Sequence, residues 1–375
     1  MTQLIETFNR QESIERKISI QSKAVKLLYK YRRILLSWAT GCGKTLGALK
    51  MIKLYHHNIP NIKGYIICKE HSHISNWEDD INTHAMQFIN NISTKFLYAS
   101  VHKYSEYGIV DFMILDECHA ITPKRLEHLK KMIGPKTVVI MLSATVSYDK
   151  SILLRQLTGS YHDYHISITK AIEEGILPTP KVFIHYYELE EYDWNLYTEM
   201  SKEIDEMGEL YEKEGAQWQK NKWVNLGSKR KRLLGDIKTN LASILISKEF
   251  KDKRYIAFTG SKDQCWALDS VNYVHSDLSK KDVIKKKDEF NSGKIDNLTV
   301  VNMFRESMNL NNIEKGLIVQ LDNGKLSFIQ MLGRVFRSNF PEMHIMVLKD
   351  TQDEKYLKNV MRGFSMKYVN KVYHE

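Results

Sequence analysis

The sequence predicts an α/β protein made of two doubly wound, mostly parallel sheets in tandem. Three observations point there. The 375 residues suffice for two cores of ordinary size. Short apolar runs without polar alternation recur along the chain, as strands covered on both faces require. Between them lie stretches with apolar residues at helical spacing, so strand and helix alternate.

In order, RRILLSW, GYIICK, VDFMILDE and KTVVIMLSAT read as the buried strands of the first half. TLGALKMIKLYHH and PKRLEHLKKMI read as helices between them. Pro178 and Pro180 break helix and bias their neighbours toward extended backbone, so the join is expected there, giving domains 1–177 and 178–375. A charged helical insertion follows at about 188–235, acidic in its first part and basic with interleaved tryptophans in its second. A solvated helix face explains most such charge runs. The alternative is that the basic part touches a phosphate backbone, with Trp218 or Trp223 packing or stacking. RYIAFTG, NYVHSDL, NLTVVNMF, KGLIVQL and MHIMVLKD read as the strands of the second sheet.

A hydrophobic share of 43% and a charged share of 27% exclude a disordered chain. The net charge of +10 points weakly to a polyanionic partner, since an evenly mixed basic surface gives the same total. Cys42, Cys68, Cys118 and Cys265 show no zinc spacing and are expected to be free thiols. The polar start, MTQLIETFNRQESIER, is not a secretory signal, and no apolar run approaches the roughly 20 residues of a spanning helix. A cytosolic location, or a nuclear one in a host with a nucleus, is expected.

In LLSWATGCGKTLGALKMI a strand enters a turn of small residues and leaves as a helix. The N–H groups of such a turn converge with the helix N-terminus on an anion. Gly41 and Gly43 admit close approach, Lys44 would reach the β/γ-phosphates, and Thr45 would hold Mg²⁺. Thr40 and Cys42 complete the turn. Trp38 occupies the place of the first glycine in the general G-x-x-x-x-G-K-[ST] pattern.

Asp116-Glu117-Cys118-His119 ends a buried strand, and in parallel sheets ligands bind beyond the carboxyl ends of strands. Asp116 would hold Mg²⁺ and Glu117 would deprotonate the attacking water. Ser143 and Thr145 end another strand, where hydroxyls usually cap or turn. Near the other end, Gln330, Gly333, Arg334 and Arg337 put two arginines on one helix face. A surface basic helix is one reading; charge delivered to a γ-phosphate in the transition state is the other.

Taken together, these stretches resemble the superfamily 2 helicases and translocases. ATGCGKT is similar to motif I, whose first glycine is commonly absent in that family, DECH to motif II of the DExH class, SAT to motif III and QMLGRVFR to motif VI. Gln21 resembles the upstream glutamine that reads adenine. YIICKEHSHISNW resembles motif Ia, its Asn76-Trp77 being similar to double-strand translocases related to chromatin remodellers. FLYASVHKY, YIAFTGSKDQ and VVNMFRESMNL match the places of motifs Ib, IV and V, although Ser307 stands where relatives often have glycine.

The resemblance implies two RecA-like domains with an ATP cleft between them, and ATP and Mg²⁺ as cofactors. It implies catalytic roles for Lys44, Glu117, Arg334 and Arg337, and nucleotide contacts from Gln21, Gln330 and the turn. Lys69, Thr259, Ser261, Lys262 and Asn309 are implied nucleic-acid contacts. His119, Ser143 and Thr145 are implied to couple hydrolysis to movement. The expected partner is nucleic acid bound through its backbone. DNA is favoured over RNA, as for a compact phage-type branch-migration or repair motor or the motor of a larger assembly. An RNA helicase and a non-hydrolysing clamp are the alternatives. A thiol inside the phosphate turn, Cys42, is expected to be alkylated and protected by ATP.

Overall fold

The computed structural model describes residues 8–59, 61–301, 310–336 and 338–374. The chain divides into two compact units, Met1–Thr179 and Pro180–Glu375.

The first unit opens with α1 (Arg10–Tyr31), capped by Asn9, whose side chain accepts from the backbone N–H groups of Gln11 and Glu12. Strands β1 (Arg33–Trp38), β2 (Gly64–Cys68), β3 (Ser93–Leu97), β4 (Phe112–Leu115), β5 (Val138–Ser143) and β6 (His162–Ile166) follow. Between them run α2 (Lys44–Asn58), α3 (His71–Thr83), α4 (Phe88–Ile92), α5 (Val101–Tyr104), α6 (Pro123–Lys130) and α7 (Tyr148–Thr158), and α8 (Ile168–Glu173) closes the unit. The strands pair in parallel in the order β3-β2-β4-β5-β1-β6.

The central strands β4 and β5 are buried at every position, matching their uninterrupted apolar sequences. Leu35, Ile67, Met113, Leu115, Val139 and Met141 pack with Tyr65 and Phe96 in one core. Each fully buried aliphatic side chain contributes about 1.5–3 kcal/mol. The edge strands β3 and β6 alternate between exposed and covered positions. An edge strand shows no continuous apolar run, so β6, HDYHI, carries little signal in the sequence.

The second unit contains β7 (Lys181–Tyr187), α9 (Glu191–Glu214), α10 (Gln217–Glu249), β8 (Tyr255–Thr259), α11 (Lys262–Leu268), β9 (Tyr273–Val274), α12 (Lys280–Asn291) and β10 (Asn297–Val301). After these come β11 (Lys315–Ile318), α13 (Lys325–Val335), β12 (Glu342–Leu348), α14 (Gln352–Val360) and β13 (Val369–Tyr373). Its sheet is also parallel, in the order β13-β7-β12-β11-β8-β10-β9.

The charged insertion is a helical hairpin of α9 and α10, but α10 runs well beyond residue 235. Its C-terminal part is core: Leu234, Ala242 and Leu245 pack on Leu317, Val319, Met346 and Leu348. Gly235 lies inside the helix, where its carbonyl accepts from Gln264 Nε2 at 2.6 Å. Lys238 of α10 meets Asp353 of α14 at 2.6 Å with both side chains fully buried. Arg230 reaches Ser201 Oγ at 2.8 Å and Gln352 Oε1 at 3.0 Å. The base of the hairpin is thereby tied to the sheet.

Candidate functional site

The parallel sheet of the first unit brings the motifs to one edge. In the ladder Ser37 of β1 is level with Ser143 of β5, and Leu115 of β4 with Met141. The turn after β1, the acids after β4 and the hydroxyls after β5 therefore leave the sheet on the same side, within three adjacent strands.

Gly41 and Gly43 have φ of 92° and 81°, a region L side chains rarely adopt. A Cβ on Gly43 would stand 2.7 Å from Gln21 Nε2. Trp38, by contrast, is outside the positive-φ set, so the backbone there needs no glycine. Its ring is fully buried, edge-on to Tyr164 with centroids 5.4 Å apart, and its carbonyl accepts from Lys44 Nζ at 2.9 Å. The ammonium is thus drawn back over the turn.

Gln21, from α1, donates through Nε2 to the Gly43 carbonyl at 3.3 Å, and its Oε1 accepts from Lys50 at 2.7 Å. Thr40 and Thr45 are half-buried on the turn and the first turn of α2. Cys42 overturns the labelling expectation. Its thiol is fully buried, and burial, only partly offset by Lys44 and Lys17, pushes its pKa up to about 11.

Asp116 Oδ2 accepts from Trp77 Nε1 at 2.9 Å, and His73 Nδ1 lies 3.9 Å from the same oxygen. Asp116 Oδ1 accepts from the Glu117 backbone N–H at 3.0 Å. Trp77 and His73 are four residues apart on α3, one helix face aimed at the end of β4. Composition gave no sign of His73; the spacing of His73 and Trp77 after β2 is the signal that could have found it. Glu117 is held at φ 49°, a left-handed conformation unusual for a non-glycine residue.

Burial first, and then the neighbouring Glu117 charge, raise the Asp116 pKa against the pull of His73, Trp77 and Lys44. Burial also works against a charged Glu117, but the His119 imidazole and the Lys44 ammonium outweigh it and hold that carboxyl below its ordinary range. One acid of the pair is kept ionised beside the turn.

His119 Nδ1 lies 3.1 Å from Glu117 Oε2 and 3.1 Å from Ser143 Oγ. Ser143 Oγ donates to the Thr145 carbonyl at 2.7 Å, so its single proton is committed and His119 Nδ1 must carry the other. The structure links these three residues through that serine. His119 Nε2 and His73 Nδ1 are buried without a hydrogen-bond partner, and Glu117 Oε2 is buried with only its His119 contact.

This donor set fits a polyphosphate with a divalent cation. It offers a cradle that a Cβ would fill, a lysine inside it, a hydroxyl at the helix start, and two buried carboxyls. Among the described residues no group of three or more His, Cys, Asp or Glu has metal-holding geometry, so a cation here would rely on Thr45, Asp116 and the phosphates themselves.

In the second unit, Gln330 and Arg334 lie one turn apart on α13, with side chains only 7% and 9% exposed. That burial removes the surface-helix reading of Arg334. Arg337 and Asn309, and with Asn309 residues 302–309 of the VVNMFRESMNL stretch, lie outside the described residues.

Three of the implied nucleic-acid contacts have other partners. Thr259 is fully buried, its hydroxyl donating to the Val300 carbonyl at 3.2 Å, so it cannot reach a backbone phosphate. Ser261 caps α11, accepting from the Gln264 N–H at 3.1 Å. Lys262 pairs with Asp277. Lys69 follows β2 at the same edge as the phosphate turn.

The comparisons agree with this architecture. Residues 4–148 match the family described as type III restriction enzyme, res subunit, and residues 237–339 match the helicase conserved C-terminal domain. A search of curated proteins finds no matching sequence. A Saccharomyces cerevisiae Dbp5 variant bound to RNA and ADP BeF3 is similar in structure, with TM-score 0.65 and 11% identity over 96% of this chain and 92% of that one. The type ISP restriction-modification enzyme LlaBIII bound to DNA gives TM-score 0.60 and 11% identity, over 96% of this chain but 31% of its own. The Pyrococcus furiosus Hef helicase domain gives 0.56 and 13%, over 93% and 98%. Among the described residues no helix is long and apolar enough to cross a membrane. With two parallel RecA-like sheets and both halves matched by family, the chain belongs to the superfamily 2 helicases.

Proposed function

We propose that this chain is a nucleic-acid-stimulated ATP hydrolase that translocates along DNA or separates its strands. The observation that carries the reading is the meeting of Lys44, Asp116, Glu117 and His119 at one sheet edge, with Glu117 held ionised by its neighbours.

Lys44 and the N–H groups of residues 40–45 bind the triphosphate, and Gln21 braces the turn beneath it. Thr45 and Asp116 would hold Mg²⁺, which would supply positive charge to the phosphate oxygens. Glu117 takes the proton from the attacking water, with His119 orienting its carboxylate. The link from His119 through Ser143 to Thr145 passes the state of that carboxylate to the segment after β5. Gln330 and Arg334 supply the second unit's contribution to nucleotide contact and turnover. Arg337, Asn309 and Lys69 keep the roles that the family resemblance implies for them.

The match to a restriction-enzyme subunit and the likeness to a DNA-bound restriction motor favour DNA. The likeness to an RNA-bound Dbp5 supports the alternative track. An ionised base beside the phosphate turn argues against a clamp that does not turn over ATP. Phosphate release measured with no nucleic acid, single-stranded DNA, duplex DNA, forked DNA and RNA tests the reading. Stimulation by a DNA form above RNA is expected; stimulation by RNA alone would move the enzyme to the other track, and no hydrolysis with any of them would end the motor reading.

A further inference from the structure

The helical hairpin of the second unit, up to residue 236, falls between the two family matches, which end at residue 148 and resume at 237. Its two helices carry opposite charge. Helix α9 holds nine acidic and two basic residues; residues 217–235 of α10 hold six basic residues and no acid. Yet among the described residues no ion pair joins the two helices. The helices meet instead through Gln219, buried at the contact, and Trp223, which lies over Tyr211 and beside Gly208.

With 100° between successive residues, Trp218, Lys222, Asn225, Lys229 and Arg232 fall in one stripe, centred about 120° around the helix from that contact. All five are exposed, Trp218 at 60%. The spacing of four, three, four and three residues extends the stripe over about 21 Å, the axial length of about six phosphates along one strand of a duplex. Lys222, Lys229 and Arg232 make no ion pair among the described residues. The acids of α9 do not neutralise the stripe; Asp236, one turn beyond Arg232 on the same stripe, acts only on that guanidinium at its end.

We infer that this face of α10 is an accessory nucleic-acid contact, with Lys222, Lys229 and Arg232 on phosphates of one backbone and Trp218 stacking on an unpaired base beyond them. The inference rests on the motor reading above and names a partner surface outside the shared helicase core. A solvated charged face would need no aromatic at its end and no such one-sided separation of charge. Asn225 adds a neutral hydrogen-bonding group for the backbone.

The test uses the full chain with Lys222→Gln, Lys229→Gln and Arg232→Gln combined, three exposed positions whose change leaves the core intact. Binding to single-stranded and to duplex DNA is measured across a salt series. The slope of log affinity against log salt is expected to become shallower by about two to three, at 0.7–0.9 per lost phosphate contact, with affinity at low salt down by at least tenfold. ATP hydrolysis without nucleic acid is expected to stay unchanged. Trp218→Ala should weaken binding to single strands while leaving blunt duplex binding near that of the parent. If the parent binds DNA and the triple variant binds it with the same slope and affinity, the hairpin contact is overturned and the motor reading survives. If the parent binds no nucleic acid at any salt, both fall.

Discussion

In the first unit, His119 and His73 each bury a ring nitrogen that no hydrogen bond satisfies, and Glu117 Oε2 has only its 3.1 Å contact with His119. In the second, His374, His185, His344 and Glu342 form an unbroken chain of 2.8 Å contacts, ended by Lys315 against Glu342. Both regions bury imidazoles and a carboxylate, yet only the second completes its bonding. The proton count shows how. An ionised Glu342 accepts from His344 Nε2, which leaves His344 Nδ1 to accept from His185 Nε2, and His185 Nδ1 to accept from His374 Nε2. In this arrangement each ring donates once, in one direction. A group of this kind holds strands β7 and β12 and the residue after β13 together and asks for no ligand. Beside the phosphate turn, by contrast, the rings of His119 and His73 keep desolvated nitrogens open and Glu117 is left-handed, features that cost about 1–3 kcal/mol each and persist where a ligand uses them. In these two groups the completed bonding belongs to the sheet and the open ring nitrogens to the neighbourhood of the phosphate turn.

That contrast can be broken by experiment, starting with the acids. Glu117→Gln should lower ATP turnover by about 10²–10⁴-fold while nucleotide affinity stays near that of the parent; single-turnover phosphate release beside equilibrium nucleotide binding checks both. Arg334→Ala should cost on the order of 10³-fold in turnover with a much smaller effect on affinity; an equal loss in both would make Arg334 a folding residue. Native Cys42 should be alkylated about a hundredfold more slowly than an exposed thiol, because a pKa near 11 leaves about that much less thiolate near neutral pH. Mass spectrometry of the labelled peptide, with and without ATP, reads this; fast labelling would place the thiol at the surface.

Trp77→Phe removes the donor to Asp116 and should cost about tenfold in turnover, the worth of a hydrogen bond to a charged group. If Trp77 is only packing, phenylalanine will restore full activity.

The smallest expected effect belongs to the completed chain. Burial first, then the neighbouring His344 and His374, push the His185 pKa down to about 3. The folded ring stays neutral while the unfolded one gains a proton below about pH 6.5. Stability from this group is therefore full above that pH and declines as pH falls toward 3. The slope is at most about 1 kcal/mol per pH unit, since His374 opens the far end to solvent. His185→Phe should lower stability at pH 7 and flatten the decline between pH 7 and pH 5 in denaturant titrations. A parent whose stability is the same at both values would refute the proton count.

Legibility in the sequence followed the range over which each signal acts. The central strands could be read because β4 and β5 are covered on both faces and spell continuous apolar runs. The edge strands β6 and β13 are half-exposed, so their letters resemble loop. Gly41 and Gly43 announced the turn through local backbone need, and Asp116 and Glu117 stood out as charges ending an apolar run. Thr259 misled, because a hydroxyl at a strand end looks the same whether it faces a ligand or the next strand's carbonyl.

The sequence by itself determined the family, the alternation of strand and helix, and the order of the phosphate turn, the acids and the hydroxyls, all properties of a few neighbouring residues. Only the tertiary structure decided that His73 and Trp77 of α3 brace Asp116, that His119 shares Ser143 with the segment after β5, and that Arg334 is buried while the Cys42 thiol is sealed. Parallel pairing joins strands distant in the chain, and no local pattern records which side chains that register brings within 3 Å of one another.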